Sequence, residues 1–399
     1  MQPIQFGTDG VRGRSGDWPI TEEGARHIGR AIAAWCQQGP VYVGRDTRAS
    51  GPALTEAIIT GLNEGGSDVL DGGVMPTAAV SCAVASGGCA AGVVLTASHN
   101  PWHDNGIKVL NAGGRKPTDI TALEALFGVA PTPGGGRRTT PADPLAPWRM
   151  AMPALDLTGA RILLDCAHGA ASAAAPGVLR SMGAQVVEVG CSPDGRNIND
   201  GVGATHPPTD LAGCDLGIIL DGDADRILLL DEHGILDGDD ILWALAQVTD
   251  GPVVGTVMTN GGLQRALGER LLRAKVGDKY VADLMATSGA LVGAETSGHV
   301  LFADGMPTGD GLYAALRVIK ATEGYPRVPG WSRLPVAQRS IRYSGQRRPL
   351  DSLTTPDAAR AAGERVIIRY SGTEPVLRIL VEGEDAAAWL ERIAAEFQA

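Results

Sequence analysis

The sequence predicts an α/β fold: three related α/β domains in series, followed by a small C-terminal α+β domain. Three observations predict it. Strand and helix signals alternate along the chain, and a strand, glycine turn, helix plan comes round repeatedly. Two stretches rich in Pro and Gly, 130–147 and 324–335, interrupt that plan. The tail after the second changes to strand, loop, strand, helix. Regular βα alternation builds largely parallel sheets with helical cover. The 399 residues exceed what one core holds, and the breaks divide them into 1–140, 141–245, 246–328 and 329–399.

The elements follow in order. Thr21-Glu22-Glu23 opens a helix to about Cys36, with a capping hydroxyl, acids in the first turn, and Ile28, Ile32 and Trp35 on one face. VYVG (41–44) is a short strand, and the stretch from Arg45 to Gly66 is a loop and then a helix stopped by glycine. The uncharged run 78–95 is a small-residue helix followed by a strand, too weakly apolar for a membrane span. Strands are predicted at 160–166 and 184–190, with a glycine turn and helix between them. A further strand is predicted at 251–258, before a helix around LQRALGERLL. In the tail, RVIIRY and VLRILVEG read as strands and EDAAAWLERIAAEF as a helix.

Composition narrows the function. A net charge of −11 without basic runs argues against sequence-independent nucleic-acid binding. No basic segment followed by an apolar stretch opens the chain, so no signal peptide and a cytoplasmic location are expected. The six cysteines form no CxxC pair, which points to reduced thiols and away from structural zinc.

Four stretches carry chemistry. In VVLTASHNPWHDNGIK, Ser98 and His99 follow a buried strand, and Pro101 stops regular structure and pushes Asn100 to extended geometry. Ligands of α/β sheets gather at such strand ends. A capped turn explains the hydroxyl equally well, and a serine hydrolase would need the Gly-x-Ser-x-Gly elbow. In LGIILDGDADRILLLDEHG (216–234), Asp221, Asp223 and Asp225 alternate between two apolar runs, a spacing that converges on one hard cation. An EF-hand fails, because Arg226 stands where that loop needs Gly. An acidic turn would leave three carboxylates repelling one another. In RYSGTEPVLR, Arg369, Ser371, Gly372, Thr373 and Arg378 crowd donors suited to a phosphate dianion, or form a hairpin with solvated arginines. In GAETSGH, Glu295, Ser297 and His299 could hydrogen-bond a sugar. Arg12, Arg45 and Arg48 add cationic groups in the first domain.

TASHNP with a downstream NGIK, DGDADR, GAETSGH and RYSGTEP, in that order, resembles the α-D-phosphohexomutase superfamily. FGTDGVRG, GRDTRASG, VMTNGGL, AKVGDKYV and TGDGL are most similar to its bacterial phosphoglucosamine mutase branch. The resemblance implies four domains around a central cleft and an intramolecular phosphotransferase of the isomerase class. It implies interconversion of glucosamine 6-phosphate and glucosamine 1-phosphate through a sugar 1,6-bisphosphate; glucose and mannose phosphates are the alternative substrates, and a non-catalytic sugar-phosphate binder is the third reading. Ser98 matches the phosphoryl carrier, and Asp221, Asp223 and Asp225 match Mg²⁺ ligands completed by the Ser98 phosphate. Arg12, His99 and Lys108 match groups beside the phosphoserine, with Lys108 a proton carrier and Arg226 facing the cleft. Glu295, Ser297 and His299 match the sugar loop; Arg369, Ser371, Gly372 and Thr373, with Arg378 beside them, match the clamp on the non-reacting phosphate. The implied cofactors are one Mg²⁺ per chain and glucosamine or glucose 1,6-bisphosphate as activator. The implied partners are a hexose or hexosamine phosphate and a second copy in a homodimer, with no nucleic acid and no membrane.

The match departs from the family pattern at several places. The sugar loop has Ala294 and Thr296 where Gly and Gln are usual, and His168 replaces a usual Asn. Trp102 and His103 stand where smaller or phenolic residues are common. The segment from Gly113 to about Leu157 and the start of the last domain are short.

Overall fold

The structure is a computed structural model that describes residues 4–7, 9–130, 132, 135–324, 330–344, 346–370 and 375–398. The chain divides into two compact units, Met1–Met258 with Leu272–Val328, and Thr259–Leu271 with Pro329–Ala399.

Three sheets belong to the first unit. One is ordered β1-β5-β4-β2-β3-β6, from β1 (Val11–Arg14), β2 (Val41–Arg45), β3 (Val69–Val74), β4 (Ala91–Leu95), β5 (Asp104–Asn111) and β6 (Arg138–Thr139). The second is ordered β11-β10-β9-β7-β8, from β7 (Arg161–Asp165), β8 (Gln185–Val189), β9 (Leu216–Leu220), β10 (Ile227–Asp231) and β11 (Gly234–Leu236). The third is ordered β13-β12-β14-β15, from β12 (Val253–Thr256), β13 (Leu271–Ala274), β14 (Val292–Ala294) and β15 (Val300–Phe302). The sheets are mixed, not largely parallel. β2 pairs parallel with β3 and β4, and β7 with β8 and β9. β4–β5, β5–β1, β9–β10 and β14–β15 are antiparallel. The physical reason is loop length: a short loop after β4 or β9 cannot cross over a sheet and must return as a neighbour. Those two short returns carry Ser98 and the three aspartates.

The helices of this unit cover the sheets: α1 (Glu22–Trp35), α2 (Gly51–Glu64), α3 (Thr77–Ala85), α4 (Thr121–Glu124), α5 (Ala146–Ala151), α6 (Ala175–Ser181) and α7 (Gly238–Ala246). Thr21 caps α1 as expected, its Oγ1 accepting from Gly24 N at 3.0 Å. Ile28 and Ile32 of α1, Ile58 and Leu62 of α2, and Val41, Val43, Val93 and Leu95 of the strands form one buried cluster. Strand periodicity explains the rest: β4 and β9 are buried at every position, as central strands covered on both faces should be. The stretch 130–147 is not wholly irregular, since β6 adds to β3 in parallel and α5 opens at Ala146.

α8 (Gly261–Leu267) belongs to the second unit. It is shorter than its sequence suggests. Gly268 at φ 59° ends it, a single 3-10 turn follows, and Leu271 already opens β13. α9 (Asp278–Ser288) and α10 (Gly311–Ala321) complete the first unit. The second unit also holds β16 (Val336–Arg342), α11 (Thr355–Ala361), β17 (Arg365–Tyr370), β18 (Val376–Glu382) and α12 (Ala386–Gln398), with the sheet order β16-β18-β17. Leu377, Ile379 and Val381 of β18 pack against Leu390 and Ile393 of α12. Asn260 Oδ1 caps α8 through Gly262 N at 2.9 Å and accepts from Leu334 N at 3.0 Å, while Glu382 Oε1 accepts from Gly261 N at 2.7 Å.

Candidate active site

Ser98 leaves β4 in a left-handed turn, at φ 52° and fully buried. A non-glycine residue there is uncommon and must be held by its surroundings. Its N–H donates to Thr96 Oγ1 at 2.9 Å, and Thr96 Oγ1 donates to the buried Asp46 at 2.7 Å. Its Oγ donates to Asp221 Oδ2 at 2.6 Å and lies 3.4 Å from His99 Nδ1.

Arg48 holds this turn from below. Its guanidinium is fully buried and donates to the main-chain carbonyls of Ser98 at 2.9 Å, Asn100 at 2.8 Å and Asp104 at 2.9 Å, and to that of Pro101. Nε donates to Asp46 Oδ2 at 2.8 Å. Arg48, read from the sequence only as a cationic group, therefore faces protein carbonyls and one buried carboxylate, and is a structural cation. Arg45 donates to the Asp46 carbonyl at 3.2 Å.

The loop between β9 and β10 brings Asp221, Asp223 and Asp225 together, all buried, with one oxygen of each within 4.8 Å of the others. Ala224 at φ 59° makes the reversal that puts alternate residues on one side. Lys108, on β5 and buried, donates to Asp223 Oδ2 at 2.7 Å and Asp225 Oδ2 at 2.8 Å and lies 3.3 Å from Asp9 Oδ2. Thr77 Oγ1 also donates to Asp223 Oδ2, at 2.5 Å. Asp223 Oδ1 and Asp225 Oδ1 are buried with no hydrogen-bond partner among the described residues.

The charges are unequal. Burial, then repulsion from Asp225 and Asp223, pushes the Asp221 carboxyl up to about 8. Burial acts on Asp225 in the same sense, but Lys108 and His299 outweigh it and hold Asp225 well below the usual carboxylate range. Burial likewise disfavours the Lys108 ammonium, yet Asp223, Asp225 and Asp9 keep it charged, well above the ordinary lysine range. His99 is pushed down to about 4 by burial and by the Arg226 and Arg12 guanidinium groups, so it is neutral at pH 7.

A network that the sequence did not announce joins these groups to the sugar loop. Asp9 pairs with Arg12, Lys108 and Lys116. Lys116 lies 2.6 Å from Asp278 Oδ2, and Asp278 Oδ2 lies 3.5 Å from His299 Nε2. Glu295 Oε2 accepts from Gly277 N at 3.2 Å, and burial raises its pKa. Thr296 donates to Asp239 Oδ1 at 3.0 Å, at the start of α7. Ser297 is exposed. An isolated bridge joins Arg226 to His299, so the metal-type loop and the sugar loop meet.

Ser98, His99, Lys108, Arg12, Asp221, Asp223, Asp225, Glu295 and His299 thus share the first unit, as does Ser297. In the second unit, Arg369 and Arg378 are exposed and stand directly opposite each other on β17 and β18. Ser371, Gly372 and Thr373 lie outside the described residues. Asp9, Asp46, Thr77, Lys116 and Asp278 went unread because single charged or polar residues carry no spacing signal. Thr77, for instance, reaches Asp223 across 146 positions.

Models of the phosphoglucomutase/phosphomannomutase family match four stretches: alpha/beta/alpha domain I over residues 3–128, domain II over 145–234, domain III over 237–328 and the C-terminal domain over 352–399. Phosphoglucosamine mutase of Azoarcus sp. (strain BH72) is 40% identical, the match covering 95% of this chain and 94% of that protein. A phosphoglucomutase/phosphomannomutase family protein from Burkholderia thailandensis has a solved structure with a TM-score of 0.78 and 26% identity, over 98% of this chain and 96% of that one. N-acetylphosphoglucosamine mutase of Aspergillus fumigatus, solved in complex with GlcNAc-6P and magnesium, shares the fold at a TM-score of 0.60 and 18% identity, over 89% and 82% of the two chains.

Proposed function

Since the chain belongs to the phosphoglucomutase/phosphomannomutase family, we propose that it acts as a phosphoglucosamine mutase, interconverting glucosamine 6-phosphate and glucosamine 1-phosphate. The observation that carries the reading is the Ser98 hydroxyl on Asp221, inside a buried triad of carboxylates that faces Lys108. Ser98, as phosphoserine, gives its phosphoryl group to the free hydroxyl of the sugar phosphate. The P–Oγ bond breaks, a P–O bond to the sugar forms, the proton of the sugar hydroxyl ends on Ser98 Oγ, and the product is a sugar 1,6-bisphosphate. The sugar turns over, and its other phosphoryl group returns to Ser98.

Phosphoryl transfer needs alignment and charge more than covalent help. The Ser98 Oγ–H that must receive the returning group already donates to Asp221 Oδ2, which aims it into the triad. Lys108 stays cationic and supplies positive charge and a proton to donate. Arg12 adds a second cation on the adjacent strand. The all-oxygen donor set, with two orphaned buried carboxylate oxygens, fits a hard divalent ion, read as Mg²⁺. When bound, it neutralises charge on the phosphoryl oxygens. Asp221, Asp223, Asp225 and the Ser98 phosphate would hold it.

Glu295, Ser297 and His299 are assigned to the sugar hydroxyls. Arg369, Ser371, Gly372, Thr373 and Arg378 are assigned to the non-reacting phosphate. Arg369 and Arg378 stand directly opposite each other on paired strands and offer two guanidinium groups to one anion. A sugar 1,6-bisphosphate serves as activator, because it phosphorylates Ser98 directly. The acidic chain, in which no helix among the described residues is long and apolar enough to cross a membrane, supports a cytoplasmic enzyme without nucleic-acid partners. A homodimer completes the reading.

The test is a coupled assay with Mg²⁺ and a trace of sugar 1,6-bisphosphate on glucosamine, glucose and mannose 6-phosphates, with Ser98→Ala as the blank. Preference for the glucosamine ester, lost in the variant, is expected. Preference for glucose or mannose phosphate would keep the mechanism and overturn the substrate, an outcome that the Thr296–Asp239 tie in the sugar loop keeps in view. Absence of both turnover and phosphoserine would overturn the catalytic reading.

A further inference from the structure

The segment after β8, residues 190–203, is a strap from the second sheet laid across the serine turn of the first. It is braced internally: Asp194 N donates to Asn197 Oδ1 at 2.9 Å, and Asn197 Nδ2 donates to the Ser192 carbonyl at 3.0 Å. It is tied at its near end, where Ser192 N donates to His168 Nδ1 at 3.2 Å. It reaches the serine domain at Ala49 N, which donates to the Gly195 carbonyl at 2.8 Å, and at Arg196, whose guanidinium carbon lies 5.5 Å from the Trp102 ring centroid. Two residues that depart from the family pattern, His168 and Trp102, therefore both engage this strap.

Its far end delivers Asn199. The Asn199 amide donates from Nδ2 to the Ser98 carbonyl at 2.9 Å and to the Asn100 carbonyl at 3.1 Å. Its Oδ1 is buried without a hydrogen-bond partner among the described residues. Only the donor half of the amide is used, and leaving the other half unsatisfied has an energetic cost. Asn199 itself is left-handed, at φ 59°, pinned by its N–H to the Ala167 carbonyl at 2.9 Å. Gly222, beside the first aspartate, has no room for a side chain here: a Cβ would lie 2.5 Å from the Ser98 carbonyl and 2.9 Å from Asn199 Nδ2. Arg48 meets the same two carbonyls from within the first domain.

We propose that Asn199 is a positioning residue for phosphoryl transfer: the strap uses its amide to fix the left-handed main chain of Ser98, so that Oγ points at the Asp221 side of the site. The inference rests on reading Ser98 as the phosphoryl carrier. It gives the metal-type domain two holds on the serine, Asp221 on the hydroxyl and Asn199 on the backbone.

The test is Asn199→Ala, with Arg196→Ala as a second variant at an exposed position. Turnover is normalised to phosphoserine by intact mass, and hydrogen exchange is followed over residues 96–104. A misaimed nucleophile costs on the order of 100-fold in rate for a displacement of about 1 Å. The expected result for Asn199→Ala is a fall in kcat of about 10- to 100-fold, KM near wild type, and faster exchange over 96–104. Arg196→Ala should move both readouts in the same direction by less. A lowered Tm with kcat per phosphoserine and local exchange unchanged would make Asn199 merely structural and overturn the proposal. If Asn199→Ala does not fold, wild-type kcat and exchange in Arg196→Ala overturn it. Inactive wild-type protein on every hexose phosphate would sink the functional reading instead, and the exchange data would then decide the positioning claim alone.

Discussion

Arg48 gathers four carbonyls and one carboxylate around a single guanidinium, and nothing in GRDTR announces that arrangement. A basic residue in a loop reads as solvated or anion-binding. Only the return of the chain through 98–104 converts it into a buried fastener. Arg48→Ala leaves Asp46 as an unpaired buried carboxylate and frees the carbonyls, so a loss of about 3–5 kcal/mol is expected. Arg48→Lys should recover only part of it, because an ammonium cannot reproduce the fork; urea denaturation of both variants checks this. The aspartate triad was legible for the opposite reason. Its carboxylates alternate within five residues of sequence, so their convergence is local. Asp221 also makes a measurable prediction about pH. With its pKa raised to about 8, the carboxyl carries a proton at pH 7 in the metal-free protein. A divalent cation needs it ionised, so Mg²⁺ binding at pH 7 should release close to one proton, and affinity should rise with pH until about 8 and then level. Calorimetry in two buffers of different ionisation enthalpy reads the proton directly; equal heats in both would refute it.

At the scale of elements, periodic signals survived and edge signals did not. α1, α2, β7, β8 and α12 formed where capping, glycine stops and apolar spacing put them. β16 went unread because VAQRSIR is mostly polar and exposed, and its pairing with β18 is made across a long separation in sequence. LQRALGERLL misled because Leu271 and Leu272 suit a helical face and a strand equally well, while Gly268 decides for the strand. One inter-element contact sets a test. A Cβ on Gly238, at the start of α7, would lie 1.9 Å from the Glu295 carbonyl. α7 is fixed there by the Asp237–Asp240 capping box, so the sugar loop has to give way. Gly238→Ala should cost about 1–3 kcal/mol from overpacking. It should also raise KM for sugar phosphate more than it lowers kcat, which steady-state kinetics with a thermal melt would measure. A normal KM would mean that Glu295 does not read the sugar.

At the scale of the molecule, the smaller unit is assembled from two separate pieces of chain. Residues 259–271 supply α8 and its cap, and 329–399 supply the sheet and the remaining helices. Asn260 and the glycines after it find their partners at Ser332, Leu334 and Glu382. A chain ending at residue 328 should therefore leave 259–271 open to protease while residues 1–258 stay resistant. Limited proteolysis read by mass spectrometry would show whether that segment is cut first; equal resistance would mean α8 is held by the larger unit.

The split assembly bears on how the protein is made. A ribosome releases the chain from its N-terminus at roughly 5–20 residues per second. Both segments after α8, 272–328 and then the tail, must be synthesised before Glu382 can meet Gly261. For several seconds of translation α8 is an orphan helix of seven residues, too short to be stable alone. The larger unit can close around its serine and aspartates during that interval, while the smaller unit waits for residues 329 onward.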